Sequence, residues 1–199
     1  MDKLFLIIIT HIININVGQL KTYIGLDSLS AGSEISFFDA QFADKGIYFG
    51  SFKDNILIVS NKKAFEFYYK DVSTFEKTIS TLAPNIEVAV LTLDDANNFY
   101  GYSLIKDGVR QRVKAGTDTE VFVDEGKPIP EEEALLKANL ISDNELETMK
   151  AKHGEAYTLK QIGYEVGKRV PIKLLTHFFG NNMDEVAENL NKVLLIEYK

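Results

Sequence analysis

The stretch IEVAVLTLDDANNFYGYSLIKDGVRQRVKAGTDTEVFVDEGKPIPEEEALL, Ile86–Leu136, decides how this chain is read. Val88, Val90 and Leu91 mark a strand over Glu87–Leu93, and the polar run Asp94-Asp95-Ala96-Asn97 breaks it. Phe99–Ile105 and Val109–Val113 then flank Lys106-Asp107-Gly108. An Asp-Gly pair between two strand-like runs predicts a primed turn or a bulged hairpin, because those residues tolerate positive φ. Glu120–Val123 reads as a further short strand. Pro130 suits a first helical turn, and Glu131, Glu132 and Glu133 suit the positive end of a helix dipole, so a helix is expected over Pro128–Ala138.

Upstream, Leu4–Ile9 is a solid apolar run with β-branched residues in succession. It reads as a strand buried on both faces rather than a targeting signal or a membrane span: no small-x-small cleavage site follows, and the run is broken by Thr10, His11, Asn14 and Asn16. Val17–Leu26 fits a helix or a strand, and Asp27–Ala43 carries loop chemistry in Ser28, Ser30, Gly32 and Ser33. Gly46–Phe52 and Asn55–Val59 predict a hairpin across Lys53-Asp54. The aromatic run Lys62–Tyr69 is a third strand or the cover of a core. Asp71–Leu82 predicts a helix capped by Asp71 or Ser73 and ended by Pro84.

Downstream, Ser142 with Glu145, Thr158 with Gln161, and Asn182 with Glu185 have capping-box spacing, each predicting a helix start. Gly163 and Gly167, one turn apart, suggest that another backbone approaches closely, and Pro171 suggests a kink or a fresh start. Val193–Tyr198 reads as a closing strand. The sum is α+β: a mixed, mostly antiparallel sheet with hairpins, a helical C-terminal part and a returning last strand. One domain over 1–199 is expected, mainly sheet to 127, mainly helical over 128–192, with the first and last strands side by side in the middle of the sheet.

Composition narrows the function classes. With 45% hydrophobic and 26% charged residues the chain is of the ordinary soluble globular class, and a net charge of −7 argues against a broad affinity for nucleic acid. The absence of Cys removes disulfides, thiolate metal sites and Cys nucleophiles. Soluble and acidic, the chain reads as cytoplasmic. No Walker or G-x-G-x-x-G loop, no H-E-x-x-H and no Ser-His-Asp spacing occurs, and His11, His153 and His177 share no metal spacing. No cofactor is expected.

Residues 47–136 resemble a bacterial, largely actinomycete family of unknown function. The resemblance is carried by Gly50-Ser51-Phe52, by Asp107-Gly108 followed by Arg112, and by Gly126-x-Pro128-x-Pro130-x-Glu132; the segment Leu174–Gly180 is similar to that family's closing L-F-G. The chain departs from it in lacking Trp and in residues 1–45. The resemblance implies a shared fold and singles out Arg112.

Three features carry candidate chemistry. Arg110 and Arg112 lie two apart on a strand, so they should face the same side, as ligands for a carboxylate or phosphate or as cross-strand partners of Glu87, Glu120 or Glu132. Between Asp118 and Glu147 there are ten acids against two Lys, a net of −8. These are a solvated loop and helix start, or a divalent-metal site using Asp118, Asp124, Glu125, Glu131 and Glu132. Residues 148–180 carry six Lys or Arg against two Glu, a net of +4. They are a packed helix pair, or a helix-turn-helix whose second helix begins near Val170. The leading expectation is a non-enzymatic protein that binds a protein partner, with Arg110, Arg112, Asp124 and Glu132 as candidate contacts. The rivals are a small-molecule or metal site at the 106–132 hairpin, and DNA binding through 158–180.

Overall fold

The computed structural model describes residues 3–10, 17–43 and 45–199; His11, Asn14 and Asn16 lie outside the described residues. Its strands are β1 (Lys3–Thr10), β2 (Ala31–Ser36), β3 (Ile47–Phe52), β4 (Asn55–Val59), β5 (Glu87–Asp94), β6 (Phe99–Lys106), β7 (Val109–Gly116), β8 (Val121–Gly126) and β9 (Leu194–Tyr198). They form one sheet in the order β2-β9-β3-β4-β1-β5-β6-β7-β8, and the neighbours pair antiparallel throughout.

A run as apolar as Leu4–Ile9 is stable as a strand only where both faces are covered. It sits fifth of nine, and every residue from Leu4 to Thr10 is buried. Leu4, Leu6 and Ile8 point into one core, Phe5, Ile7 and Ile9 into the other. Each such side chain stabilises the fold by about 1.5–3 kcal/mol relative to exposure. The first core is covered by α2 (Phe37–Phe42), α5 (Pro130–Lys137), α7 (Glu155–Phe179) and α8 (Met183–Asn191). The second is covered by α1 (Val17–Tyr23), α3 (Asn61–Phe65), a 3₁₀ turn at Glu66–Tyr68 and α4 (Thr74–Ser80). Where β4 has run out beside Phe5, the Gln41 side chain of α2 accepts the Phe5 backbone N–H at 2.6 Å, so the central strand has no orphaned donor there.

The turn and cap chemistry holds at several points. Asp107 (φ 49°) and Gly108 (φ 75°) both take positive φ, as a primed hairpin turn demands. Ser73 caps α4 through Glu76 N–H at 3.0 Å, and Ser142 and Glu145 form a reciprocal box on α6 (Asp143–His153). The aromatic run at 62–69 is helical and covers the second core.

Other expectations fail for identifiable reasons. The first and last strands are not neighbours: β1 pairs with β4 and β5, whereas β9 lies between β2 and β3 near one edge. Its alternation of exposed Leu194 with buried Leu195 suits a less enclosed position. The stretch 27–43 is not irregular, since it holds β2 and then α2, capped by Ser36 through Asp39 N–H at 3.1 Å. Thr158 caps nothing; it is buried inside α7 and its hydroxyl donates to the Gly154 carbonyl at 3.1 Å, while Gln161 donates to the Asp118 carbonyl, also at 3.1 Å. Nor does Pro171 start a new helix. The α7 helix runs unbroken for 25 residues, with Pro171 among its buried positions.

Gly167 and Gly163 differ in a way that spacing does not reveal. What approaches Gly167 is the Tyr100 ring, close enough that a Cβ would overlap it, whereas Gly163 faces open space. Gly163→Ala should therefore stabilise the protein by up to about 1 kcal/mol through helix propensity. Gly167→Ala should destabilise it by about 1–3 kcal/mol through overpacking, outweighing the same propensity gain. Urea midpoints of the two variants check the opposite signs.

Candidate functional site

The site is built on an irregularity in β7. Leu104 of β6 pairs with Arg112 and Ile105 pairs with Arg110, so Gln111 is an extra residue without a partner on β6. Such a bulge shifts the alternation of side chains by one. Arg110 and Arg112 therefore do not share a face. Arg112 lies on the face of Leu104, toward α5, and Arg110 on the face of Ile105, toward α4.

Arg112 makes a bidentate pair with Glu132 of α5, Nε to Oε2 at 2.7 Å and Nη2 to Oε1 at 2.8 Å. Its Nη1 donates to the carbonyls of Glu125 (3.0 Å) and Gly126 (3.2 Å) and lies 2.6 Å from Asp124 Oδ1. Lys114 stands 3.4 Å from Asp124 and 3.8 Å from Glu132. Glu132 Oε2 also accepts the Ile129 N–H at 3.2 Å, closing the first turn of its own helix. Arg112 and Glu132 are only 2% and 1% exposed, which leaves no room for an incoming ligand between them.

The electrostatics follow from that burial. Burial pushes the Glu132 carboxyl up, but hydrogen bonding from Arg112, reinforced by Tyr102 and the Ile129 N–H, outweighs it and holds the carboxyl below its usual range. Burial likewise works against a charged Arg112, and the two carboxylates outweigh it, so the guanidinium sits above its ordinary range. The Tyr100 phenol is pushed up to about 12 by burial and by the nearby Asp124 and Glu132 charges. Tyr102 faces the pair and its phenol is raised mainly by burial, then by Glu132; it is close enough to feel that charge, although its hydroxyl is not aligned for a full hydrogen bond.

Arg110 forms a second clamp on the opposite face, Nε and Nη2 each 2.6 Å from Glu76 of α4, with Nη1 on the Tyr69 and Lys70 carbonyls at 2.9 and 3.3 Å. Of the four candidate contacts, the structure thus brings Arg112, Asp124 and Glu132 together and sends Arg110 elsewhere. Among the described residues no three His, Asp or Glu side chains form a group that could hold a metal. Glu87 pairs with Lys106 at 2.7 Å rather than with either Arg. The two-helix arrangement for DNA reading is absent: α7 is continuous through 167–171, and Leu174 and Leu175 of the supposed reading helix are buried.

Among the described residues one cavity borders this cluster and another lies apart from it. One, of about 230 Å³, lies between the β5–β7 end of the sheet and Leu174, His177 and Phe178 of α7. The other, of about 360 Å³, lies where the residues before β3, the start of α3 and the end of β9 meet, and is rich in Lys. Sequence reasoning missed the second because its residues come from four separated segments. It missed Glu76 because an acid in a first helical turn looks like a dipole partner.

No family model, no curated protein and no solved structure matches this chain. The residues that carry the family-like pattern nonetheless have a local physical role. Asp107-Gly108 makes the hairpin turn, and the Gly126 carbonyl accepts from Arg112. Gly126, at φ 86°, sits so close to the Gln111 carbonyl that a Cβ would not fit, and Glu132 completes the pair.

Removing one member of a buried pair leaves an uncompensated charge, so Arg112→Met and Glu132→Leu should each cost about 3–5 kcal/mol, and the double variant should recover much of that loss. A urea double-mutant cycle reads the coupling. The folded-state pKa of Glu132 is depressed, so its contribution is fully present above the unfolded carboxylate pKa of about 4.3 and is lost as pH falls through the folded value. Stability measured against pH should therefore fall less steeply below about pH 4.3 in Glu132→Gln than in wild type.

Proposed function

We propose that this chain acts by binding a basic protein partner along the β8 margin of the sheet. The observation that carries this reading is the chemistry of that margin. As the last strand of the sheet, β8 is paired on one side only, and it exposes Val121 and Phe122, about half accessible each, among the carboxylates of Glu120 and Glu125. Among the described residues neither carboxylate has a cation within ion-pair distance; Asp124, between them, is held by Arg112 and Lys114. The helices that follow add exposed Glu133, Asp143 and Glu145 to the same sign of charge. The opposite margin differs: β2 exposes Ala31, Gly32, Ser33 and Glu34 and no large apolar side chain.

Phe122 is suited to anchor such a contact. It is the extra residue of a second bulge, between the Ala115–Val123 and Gly116–Val121 pairs, and its ring stacks on Phe99 at 6.2 Å and 18°. A pre-positioned aromatic ring loses little freedom on binding. The same bulge interrupts regular strand addition, so the partner is held through side chains rather than as a tenth strand. Acid groups around the ring steer a basic partner and make its association sensitive to salt. In this reading the protein is of the bacterial immunity or accessory type, cytoplasmic, and acts by occupancy rather than by chemistry.

Titration of isotopically labelled protein with a Lys-rich peptide carrying interspersed Leu tests the reading. Amide shifts should centre on 120–126, weaken as salt is raised, and be lost in the Phe122→Ser, Glu125→Lys double variant. Shifts centred elsewhere, or equal affinity in that variant, would remove β8 as the binding margin.

A further inference from the structure

We infer that the Lys-rich cavity beside β9 is a binding site for a small phosphorylated molecule with an apolar or aromatic body. The site is separate from the β8 margin and does not depend on it. Its volume of about 360 Å³ is in the range of small-ligand pockets, roughly 300–1,000 Å³. Lys45, Lys62, Lys63 and Lys199 line it, in a chain whose net charge is −7. Two of these cations are already paired, Lys63 with Glu66 at 2.8 Å and Lys199 with Glu197 at 2.9 Å. The exposed ammonium groups of Lys45 and Lys62 have no carboxylate partner among the described residues.

Chemistry selects the ligand class. A Lys ammonium is a strongly hydrated point charge that holds a phosphate without the planar, bidentate geometry of an Arg fork, and the cations of this cavity are all Lys. Two unpaired and two shared cations suit a ligand with at least two negative charges. Leu26, Leu29, Ile47 and the Tyr198 ring give the lining an apolar part, beside Gly46 and the polar Ser60 and Asn61. That combination fits a nucleoside diphosphate better than a bare anion.

The walls are fixed before any ligand arrives. Ser30 and Lys199 exchange backbone hydrogen bonds at 3.0 and 3.2 Å, tying the 26–30 loop to the end of β9. The Lys21 ammonium donates to the Leu29 carbonyl at 2.9 Å and sits 3.9 Å from the centre of the Tyr198 ring. On the other side, Ser60 Oγ donates to the Gly46 carbonyl at 3.3 Å, joining the residue before β3 to the start of α3. A pocket whose rims are cross-tied loses little conformational entropy on binding.

Thermal melts of the full chain with pyrophosphate, ADP, adenosine or sulfate at matched ionic strength test the inference. Pyrophosphate and ADP should raise the Tm, by about 5 °C or more near a hundredfold excess over Kd, and adenosine and sulfate should not. The Lys45→Gln, Lys62→Gln double variant touches no structural partner. It should fold as wild type and weaken ADP binding at least about tenfold by calorimetry, while Lys137→Gln, outside the cavity, should not. No stabilisation by either phosphate compound, equal stabilisation by sulfate, or undiminished ADP binding in the double variant would each overturn the assignment.

Discussion

One extra residue in β7 organises both faces of the sheet. Without Gln111 out of register, Arg110 and Arg112 would point the same way and compete for the same space. With it, each guanidinium reaches a carboxylate on a different layer: Glu132 of α5 on one side and Glu76 of α4 on the other. The bulge also ends the β7–β8 ladder, because Gly126 meets the Gln111 carbonyl there and the chain must turn away toward Pro130. That turn brings Glu132 back onto Arg112. The strand, its turn and its helix thus close into one hydrogen-bonded unit around a single buried ion pair.

Interior and surface use charge in opposite ways. Buried Arg112 and Glu132, with Lys114 and the half-exposed Asp124 beside them, neutralise one another, so the region that looks most chemical in the sequence is engaged in holding the fold. Outside, some charge is left uncompensated: among the described residues Glu120 and Glu125 at the β8 margin have no cation within ion-pair distance, and Lys45 and Lys62 near the end of β9 have no carboxylate. In an acidic chain a local cationic hollow has a strong contrast with its surroundings, which favours selective over general attraction of anions.

The fold was legible wherever a local rule acts alone. The run Leu4–Ile9, the Asp107-Gly108 turn, and the Ser73 and Ser142 caps each depend on a few adjacent residues, and each was readable. Legibility ended where a distant partner decides. The capping-box spacing at Thr158 was overridden because α7 begins earlier, at Glu155, and buries Thr158. Pro171 stayed inside a helix because Leu174, Leu175 and Phe179 beyond it continue the same apolar stripe, and burying that stripe outweighs one lost hydrogen bond. The face of Arg110 was misread because period-two alternation assumes an unbulged strand, and nothing in V-R-Q-R-V announces the extra residue. The α+β class was readable; Glu132 was one of three carboxylates the sequence offered to the Arg pair, and the structure selects it for Arg112; the second clamp and the Lys cavity were not readable.

The position of β1 sets the order in which this chain must fold. Its partners β4 and β5 end at Val59 and Asp94, so during synthesis the segment LFLIIIT has neither neighbour until the hairpin through Val59 exists, and lacks its second flank until residue 94 has emerged. Pairings that span tens of residues are slow to close, and an apolar, uncharged strand waiting for them is the kind of segment that seeds misassembly. The local β3–β4 hairpin provides the first edge on which it can dock, and β5 closes over it later. The availability of that hairpin to an early strand is thus the constraint that this strand order places on folding.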